Sequence, residues 1–237
     1  GEVLDYGCGP GYLLEHLLKQ PVHCQGVDFS PDSISATNAK YGSQPNWRGA
    51  MAVTQLPTPL PADHFDLVTC IEMIEHLRSD QFTQTLAELY RLVKPGGYVL
   101  ISTPNHENLA EGLFYCPFCD SSFNRYQHFQ SITPEALAQH LEQLGFCVPF
   151  CEGIRLDKFH TFEWYYSQAR LRWRYKARLL LELAGSGNCV IASVLDALRF
   201  RPFPHNSQFR SRLRPGPHLV AIAQKKVLPL PRTEPTP

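Results

Sequence analysis

The amino-acid sequence predicts a doubly wound α/β fold, in which helices cover both faces of a mostly parallel sheet. An apolar strand at residues 3–6 runs directly into a glycine-rich turn and a helix, which is how such folds begin. Further strands alternate with amphipathic helices along the first 150 residues. The strand at residues 65–71 is largely apolar, as expected for a central strand buried on both faces. With 237 residues, of which 43% are hydrophobic, the chain can bury one substantial core.

The glycine-rich turn after the first strand predicts a cofactor site. Its three glycines, Gly7, Gly9 and Gly11, let the backbone bend sharply and approach a ligand, and a helix starting near Gly11 would point free N–H groups at it. The third glycine comes one residue earlier than in the dinucleotide fingerprint, which disfavours a pyrophosphate. Asp5 would place a carboxylate beside the turn and favour a cationic group there. S-adenosylmethionine, which carries an ammonium and a sulfonium but no phosphate, fits these features.

The second strand, residues 22–28, ends at an acidic residue that suits a ribose. The carboxylate of Asp28 can accept hydrogen bonds from both ribose hydroxyls. Ser30 then caps a helix that we expect to end near Tyr41. A tight turn without a ligand is the alternative interpretation of the glycines, and Asp5 together with Asp28 makes it the weaker one.

Three further positions complete the predicted cofactor site. Phe29 directly follows Asp28, Met51 lies in the third strand where backbone should approach the adenine ring, and Ile71 ends the fourth strand. Ligands of open α/β sheets bind beyond the carboxyl ends of the strands, which is where these positions meet.

The remaining elements follow from periodicity and from proline and glycine signals. They are a proline-rich loop at 56–61, a helix at 80–93, a turn at 94–97, a fifth strand at 98–103, a helix at 132–145 capped by Thr133, a sixth strand from Phe146 and a last strand at 218–225.

The motifs L-D-Y-G-C-G-P-G, G-V-D-F-S, F-D-L-V-T-C-I-E-M-I-E-H-L, L-V-K-P-G-G-Y-V-L-I-S-T-P-N and L-E-Q-L-G-F resemble those of class I S-adenosylmethionine-dependent methyltransferases. They cover residues 1 to about 150 and resemble the type 11/12 and ubiquinone-biosynthesis O-methyltransferase cores. The resemblance implies a Rossmann-like sheet of seven strands, the last of them antiparallel, and an enzyme that uses S-adenosylmethionine. The resemblance does not indicate an acceptor or an oligomeric state. We expect a cytoplasmic enzyme, because no apolar run approaches the ~20 residues needed to cross a bilayer and no charged-then-apolar leader opens the sequence.

The segment Glu72-Met73-Ile74-Glu75-His76 follows the fourth strand and faces the acceptor side of the pocket. Three interpretations stay open. Glu75 or His76 could be the general base for an acceptor hydroxyl, as in ubiquinone-biosynthesis O-methyltransferases. Glu72, Glu75 and His76 could instead hold magnesium together with His128, a set that resembles the small-RNA 3′-terminal 2′-O-methyltransferases. The carboxylates could also simply brace the loop.

The pair Cys116 and Cys119 has the spacing of half a zinc site. It lies in an expected lid, residues 104–132, over the acceptor. The two further ligands that zinc needs could come from His106, His128, Cys147 or Cys151, and a reduced thiol pair without metal is the alternative.

Charge is unevenly distributed although the formal net charge is zero. Residues 1–154 hold 7 Lys and Arg against 17 Asp and Glu, a net charge of −10, whereas residues 155–226 hold 14 against 4, a net charge of +10. The second stretch contains an expected basic, aromatic helical insert at 155–217, which could bind RNA, lie at a lipid surface or cap the acidic part. We expect one domain over residues 1–226, a disordered tail at 227–237 and no transmembrane segment.

The acidic first part would repel a polyanion near the methyl donor. We therefore rank O-methylation of a small-molecule or lipid-like acceptor first and RNA 2′-O-methylation second. A catalytically inactive methyltransferase-like binding module is the alternative outside enzyme chemistry.

Overall fold

The computed structural model describes residues 1–154 and 216–227. Its strands are β1 Glu2–Tyr6, β2 His23–Asp28, β3 Trp47–Ala52, β4 Phe65–Ile71, β5 Val93–Pro104, β6 Leu113–Cys116, β7 Ser121–Asn124, β8 Phe146–Ile154 and β9 His218–Lys225. Its α-helices are α1 Leu14–Leu17, α2 Pro31–Tyr41, α3 Ser79–Leu92 and α4 Pro134–Gln143, and 3-10 turns form at Ile74–His76 and Leu109–Gly112.

Seven strands form one sheet in the order β3-β2-β1-β4-β5-β9-β8. The first five are parallel, and β9 lies antiparallel between β5 and β8, which confirms the predicted sheet. The strand order reverses between β1 and β4. In open sheets this switch point leaves a crevice at the carboxyl ends of the strands, and here the glycine turn and the segment after β4 flank it.

A separate apolar layer covers each face of the sheet. Helices α1 and α2 contribute buried side chains such as Leu14 and Ile34 to one layer. Helices α3 and α4 contribute Leu89 and Leu137 to the other. Both faces of β4 are therefore buried, which explains its apolar sequence and confirms the doubly wound fold.

The first helix is shorter than expected. We predicted a start near Gly11, but α1 begins at Leu14 and is four residues long. Gly9 and Gly11 have φ values of 47° and 80°, so this part of the chain cannot be helical. The Tyr41 hydroxyl donates a hydrogen bond of 2.7 Å to the Gly11 carbonyl and so helps to hold the turn.

The predicted turn at 94–97 lies inside a strand. Val93 pairs with Phe65 and Tyr98 pairs with Leu67, so the residues between them form an irregularity in β5, not a separate loop. Gly96 provides the positive φ of 81° that this irregularity needs.

The expected lid contains a two-stranded hairpin of β6 and β7. Both ends of the segment are attached beside the sheet, since Asn105 forms a bridge with Ile132 and its N–H donates to the Pro217 carbonyl at 2.7 Å. The predicted insert at 155–217 lies outside the described residues except for its last two, and so does the predicted tail beyond Val227. In the described ranges, no helix has the length and apolarity needed to cross a bilayer.

Candidate functional site

The glycine turn has the backbone geometry that requires glycine. Gly7, Gly9 and Gly11 all have positive φ, and the N–H groups of Gly7 and Cys8 both donate to the Val27 carbonyl at 2.8 and 2.9 Å. A Cβ at Gly7 would lie 2.7 Å from Met73 Cγ, whereas a Cβ at Gly9 would meet no atom within 4 Å. The turn therefore packs tightly at Gly7 and faces open space at Gly9. That open space is where a cofactor could approach the backbone.

Asp28 attaches this turn to the end of β2. Its two carboxylate oxygens accept hydrogen bonds from the N–H groups of Gly9, at 2.8 Å, and Ser30, at 2.9 Å. Each oxygen keeps a second lone pair, so both can still accept a ribose hydroxyl. The Asp28 carboxylate is thus compatible with a ribose, and its contact with S-adenosylmethionine stays a prediction.

Asp5 is more deeply buried than a carboxylate beside an open turn would be. Asp5 is 3% exposed, and its carboxyl group accepts a hydrogen bond of 2.8 Å from the Thr69 hydroxyl. Burial, with a smaller contribution from the negative charge of Asp28, raises the pKa of Asp5 to about 7. The structure therefore places Asp5 inside the sheet, and its contact with an ammonium group stays a prediction.

The other predicted cofactor positions lie along the same edge of the sheet. Met51 pairs with Val27, one residue before Asp28, and is half-buried. Ile71 ends β4 and is half-buried, and the Phe29 ring is 79% exposed. These side chains are accessible to a ligand at the carboxyl ends of β2, β3 and β4.

Glu75 is a buried carboxyl group on the acceptor side. It lies in the 3-10 turn after β4, is 2% exposed and accepts a hydrogen bond of 2.9 Å from the Thr103 hydroxyl. Burial raises the pKa of Glu75 to about 7. The turn adjoins the cofactor site, because Met73 packs against Gly7.

Two histidines lie beside this carboxyl group. The rings of His76 and His128 are 4.8 Å apart, and His76 Nε2 lies 3.9 Å from Glu75 Oε1. The ligand atoms of all three residues lie within 4.8 Å of one another. This arrangement could receive a proton or hold a metal cation.

The partners of the two imidazoles determine which nitrogen is available. His76 Nδ1 is 3.2 Å from the Gln127 carbonyl oxygen, and His128 Nδ1 contacts the Glu107 carboxylate. A carbonyl and an ionised carboxylate can only accept, so each Nδ1 must carry the hydrogen. When neutral, both rings therefore have their lone pair on Nε2.

Glu72 does not join this group, which corrects the predicted four-residue metal set. Its backbone has a φ of 49°, and its exposed side chain accepts a hydrogen bond of 2.6 Å from the Ser102 hydroxyl. The helical turn covers only Ile74–His76, so Glu72 and Glu75 do not share a helical face. Glu107, which the sequence analysis missed, contacts His128 instead. Its position just beyond β5 is the only signal in the sequence, and it is a weak one.

The cysteine pair lies at the tip of the β6–β7 hairpin. The backbone N–H groups of Cys119 and Phe118, together with the Cys119 thiol, lower the pKa of Cys116. Two of the proposed additional ligands are engaged elsewhere: His128 contacts Glu107, and the Cys151 thiol donates to the Pro134 carbonyl at 3.2 Å. Within residues 1–154 and 216–227, no third His, Cys, Asp or Glu ligand joins the pair. The predicted completion by His106, His128, Cys147 or Cys151 is therefore not formed.

Comparison with known proteins places this geometry in a family. Residues 1–148 match the family described as methyltransferase domain. A Mycolicibacterium smegmatis protein named "Probable S-adenosylmethionine-dependent methyltransferase" is 30% identical over 153 residues, which are 65% of this chain and 54% of that protein. The chain therefore spans about half the length of this relative.

Two further comparisons agree with this match. A ubiquinone biosynthesis O-methyltransferase of Xylella fastidiosa is 29% identical over 186 residues, 75% of this chain and 68% of that protein. The crystal structure of a SAM-dependent methyltransferase from Archaeoglobus fulgidus shares the fold, with a TM-score of 0.56 and 21% identity over 94% of this chain and 86% of that one. The glycine turn, Asp28, the sheet order and these matches together show that the chain belongs to the S-adenosylmethionine-dependent methyltransferases of class I.

Proposed function

We propose that the protein transfers a methyl group from S-adenosylmethionine to a hydroxyl oxygen of a small organic or lipid-like acceptor. The observation that carries this proposal is the buried carboxyl group of Glu75, with His76 beside it, on the turn whose Met73 packs against Gly7. A group with a pKa near neutrality suits a general base, because it is unprotonated often enough to accept a proton and basic enough to hold it.

In this proposal one set of residues binds the methyl donor, and Glu75 accepts the proton of the acceptor. S-adenosylmethionine supplies a methyl group that is already activated by the sulfonium. Gly9 and Asp28 would hold the ribose, and an acceptor hydroxyl would bind between the glycine turn and Glu75. Glu75 would accept the hydroxyl proton when the oxygen takes the methyl group, and S-adenosylhomocysteine would leave as the other product. Alignment of the two reactants provides much of the acceleration.

An apolar acceptor agrees with the surroundings of Glu75. Its backbone carbonyl accepts a hydrogen bond of 2.8 Å from the Phe129 N–H, and the rings of Phe129 and Tyr126 are 59% and 52% exposed. The relative from Xylella fastidiosa is named for O-methylation in ubiquinone biosynthesis, which is consistent with a phenolic acceptor. The net charge of −10 over residues 1–154 disfavours RNA.

The test is methyl transfer from labelled S-adenosylmethionine to phenols with and without an isoprenoid tail. Glu75→Gln should lower kcat about 100-fold or more, since a well-placed base contributes that much. Its affinity for S-adenosylmethionine should be nearly unchanged. Glu111→Gln is the matched control and should keep its activity, because Glu111 is exposed and accepts a hydrogen bond from Asn108. Full activity of Glu75→Gln would refute the role of the base.

A cation bound by Glu75, His76 and His128 is a second candidate, favoured by one ligand atom from each residue lying within 4.8 Å of the others. Two imidazoles and one carboxylate suit a transition-metal ion better than magnesium, which prefers oxygen ligands. Treatment with a chelator separates the two candidates. Loss of turnover that manganese or magnesium restores supports the cation, whereas unchanged turnover supports the base alone.

We also propose that the Cys116–Cys119 turn binds zinc in a structural role. Two thiols in a tight turn, with N–H groups directed at Cys116, provide half of a tetrahedral site. A tetrahedral site needs two further ligands in addition to these thiols.

A further inference from the structure

We infer that Glu107 is a positioning residue that holds His128 in its Nδ1–H form and so makes His128 the third member of the acceptor site, beside Glu75 and His76. This inference rests on the proposed function of that site. It adds a residue that no sequence motif marks.

Glu107 and His128 are held in place from opposite ends of the segment between β5 and α4. On the Glu107 side, the His106 N–H donates to the Ile132 carbonyl at 2.9 Å. On the His128 side, the Phe129 N–H donates to the Glu75 carbonyl at 2.8 Å. The backbones that carry the two side chains are thus fixed next to the site, and the side chains meet between them.

The environment makes this contact stronger than a surface ion pair. The side chains of His128 and Glu107 are only 12% and 23% exposed, so water screens their interaction less than it would at the surface. A carboxylate that accepts from Nδ1–H also makes the opposite ring nitrogen a better electron-pair donor.

The consequence for His128 is a fixed ring orientation and a fixed tautomer. With Nδ1 donating to Glu107, the lone pair of the neutral ring is on Nε2, and the ring lies 4.8 Å from the His76 ring in the group that also contains Glu75. His76 has the same arrangement through the Gln127 carbonyl. Without Glu107, His128 could rotate or carry its hydrogen on Nε2, and the site would lose one acceptor.

Long-range proton–nitrogen NMR spectra of histidine-labelled protein test this directly, because they distinguish Nδ1–H from Nε2–H imidazole without any turnover. His128 should be in the Nδ1–H form in the wild type. Glu107→Gln keeps a carbonyl acceptor at the same place and should keep that form. Glu107→Leu removes the acceptor, and His128 should then no longer be held in the Nδ1–H form. Glu111→Leu, an exposed change on the same segment, is the control and should leave the spectrum of His128 unaltered.

Kinetics provide the second readout. Glu107→Leu should lower kcat about 10- to 100-fold, the range found for residues that orient a ligating histidine, with little change in KM for S-adenosylmethionine. Glu107→Gln should restore most of the activity. If Glu107→Leu does not fold, Glu107→Ser, whose side chain is too short to reach His128, replaces it.

Two results would overturn the inference. One is an Nδ1–H tautomer of His128 that persists in Glu107→Leu. The other is a Glu107→Gln variant that is as inactive as Glu107→Leu. If only the proposed function is wrong, the two experiments give a different combination of results. In that case the tautomer would still respond to Glu107, but no hydroxyl acceptor would be methylated.

Discussion

The backbone N–H of Gly9 donates a hydrogen bond of 2.8 Å to the carboxylate of Asp28, which ties the turn after β1 to the end of β2. The Ser30 N–H donates to the other carboxylate oxygen. Asp28 therefore shapes the turn as well as offering acceptors to a ribose. A change at this residue should affect the cofactor more than the fold, because the turn also has hydrogen bonds to Val27.

Asp28→Asn should weaken the binding of S-adenosylmethionine about tenfold or more, because hydrogen bonds to a charged group contribute about 1.5–3 kcal/mol each. The amide retains one acceptor oxygen, so the fold should change little. Isothermal titration calorimetry measures the affinity, with Asp32→Asn in the exposed first turn of α2 as the control. Equal affinities of the two variants would contradict the role of Asp28.

Alanine at two glycines of the turn should separate stability from binding. Gly7→Ala should lower the free energy of unfolding, because its φ is 82° and the new Cβ would lie 2.7 Å from Met73 Cγ. Gly9→Ala has a milder φ of 47° and no neighbour within 4 Å, so it should cost only about 1–2 kcal/mol of stability. Its methyl group would enter the cofactor's space and should reduce affinity strongly.

Urea unfolding and calorimetry on the same two variants check this contrast. A Gly9→Ala protein that binds S-adenosylmethionine as tightly as the wild type would show that the cofactor does not approach the turn there.

Asp5 should make the protein less stable as the pH rises. Its folded-state pKa of about 7 lies above the ordinary pKa of 3.8 for an aspartate, so between these values the folded protein holds a proton that the unfolded chain releases. This stabilising contribution is fully present below the lower value and is lost as the pH rises through the higher one. The total change is at most about 4 kcal/mol, from 1.36 kcal/mol per pKa unit.

Asp5→Asn keeps the hydrogen bond with Thr69 and removes the titration. The difference in unfolding free energy between variant and wild type, measured in urea, should therefore move in favour of the variant from about pH 4 to about pH 8. Groups that titrate equally in both proteins, Glu75 among them, cancel in this difference. A difference that does not vary with pH would show that Asp5 is ionised throughout.

Purified protein should contain about one equivalent of zinc per chain, which elemental analysis measures. Replacing Cys116 or Cys119 by serine should remove the metal, whereas Cys147→Ser, an exposed thiol on β8, should not. Metal-free wild-type protein of normal stability would leave the pair as ordinary thiols.

Local sequence signals predicted most of the fold. The Ser30 and Thr133 side chains accept hydrogen bonds from Ser33 N and Ala136 N, which confirms both predicted helix caps. Helix α3 and strand β9 lie within one residue of their predicted ranges. Such elements depend on neighbours in the sequence, where capping chemistry and periodicity are visible.

The acceptor site depends on contacts that sequence neighbours do not reveal. Glu72 leaves the predicted group because its backbone takes a positive φ and Ser102 lies within reach on the adjacent strand. Glu107 enters it because the segment between β5 and α4 returns to the site 21 residues later, at His128. No periodic pattern marks either event, so the sequence pointed to Glu75, His76 and His128 but not to Glu107.

Strand β9 is the last of the sheet to be synthesised, although it lies between β5 and β8. Until it arrives, β5 lacks a partner on one side along Tyr98–Pro104, and its main-chain groups are exposed to unwanted pairing. The same part of β5 carries Thr103. Its hydroxyl donates a hydrogen bond to Glu75, and its backbone pairs with Leu219 on β9. A nascent chain that has emerged only as far as β8 can therefore form the glycine turn early but cannot complete the support of its acceptor site. The pairing of Thr103 with Leu219 can therefore form only after β9 has left the ribosome.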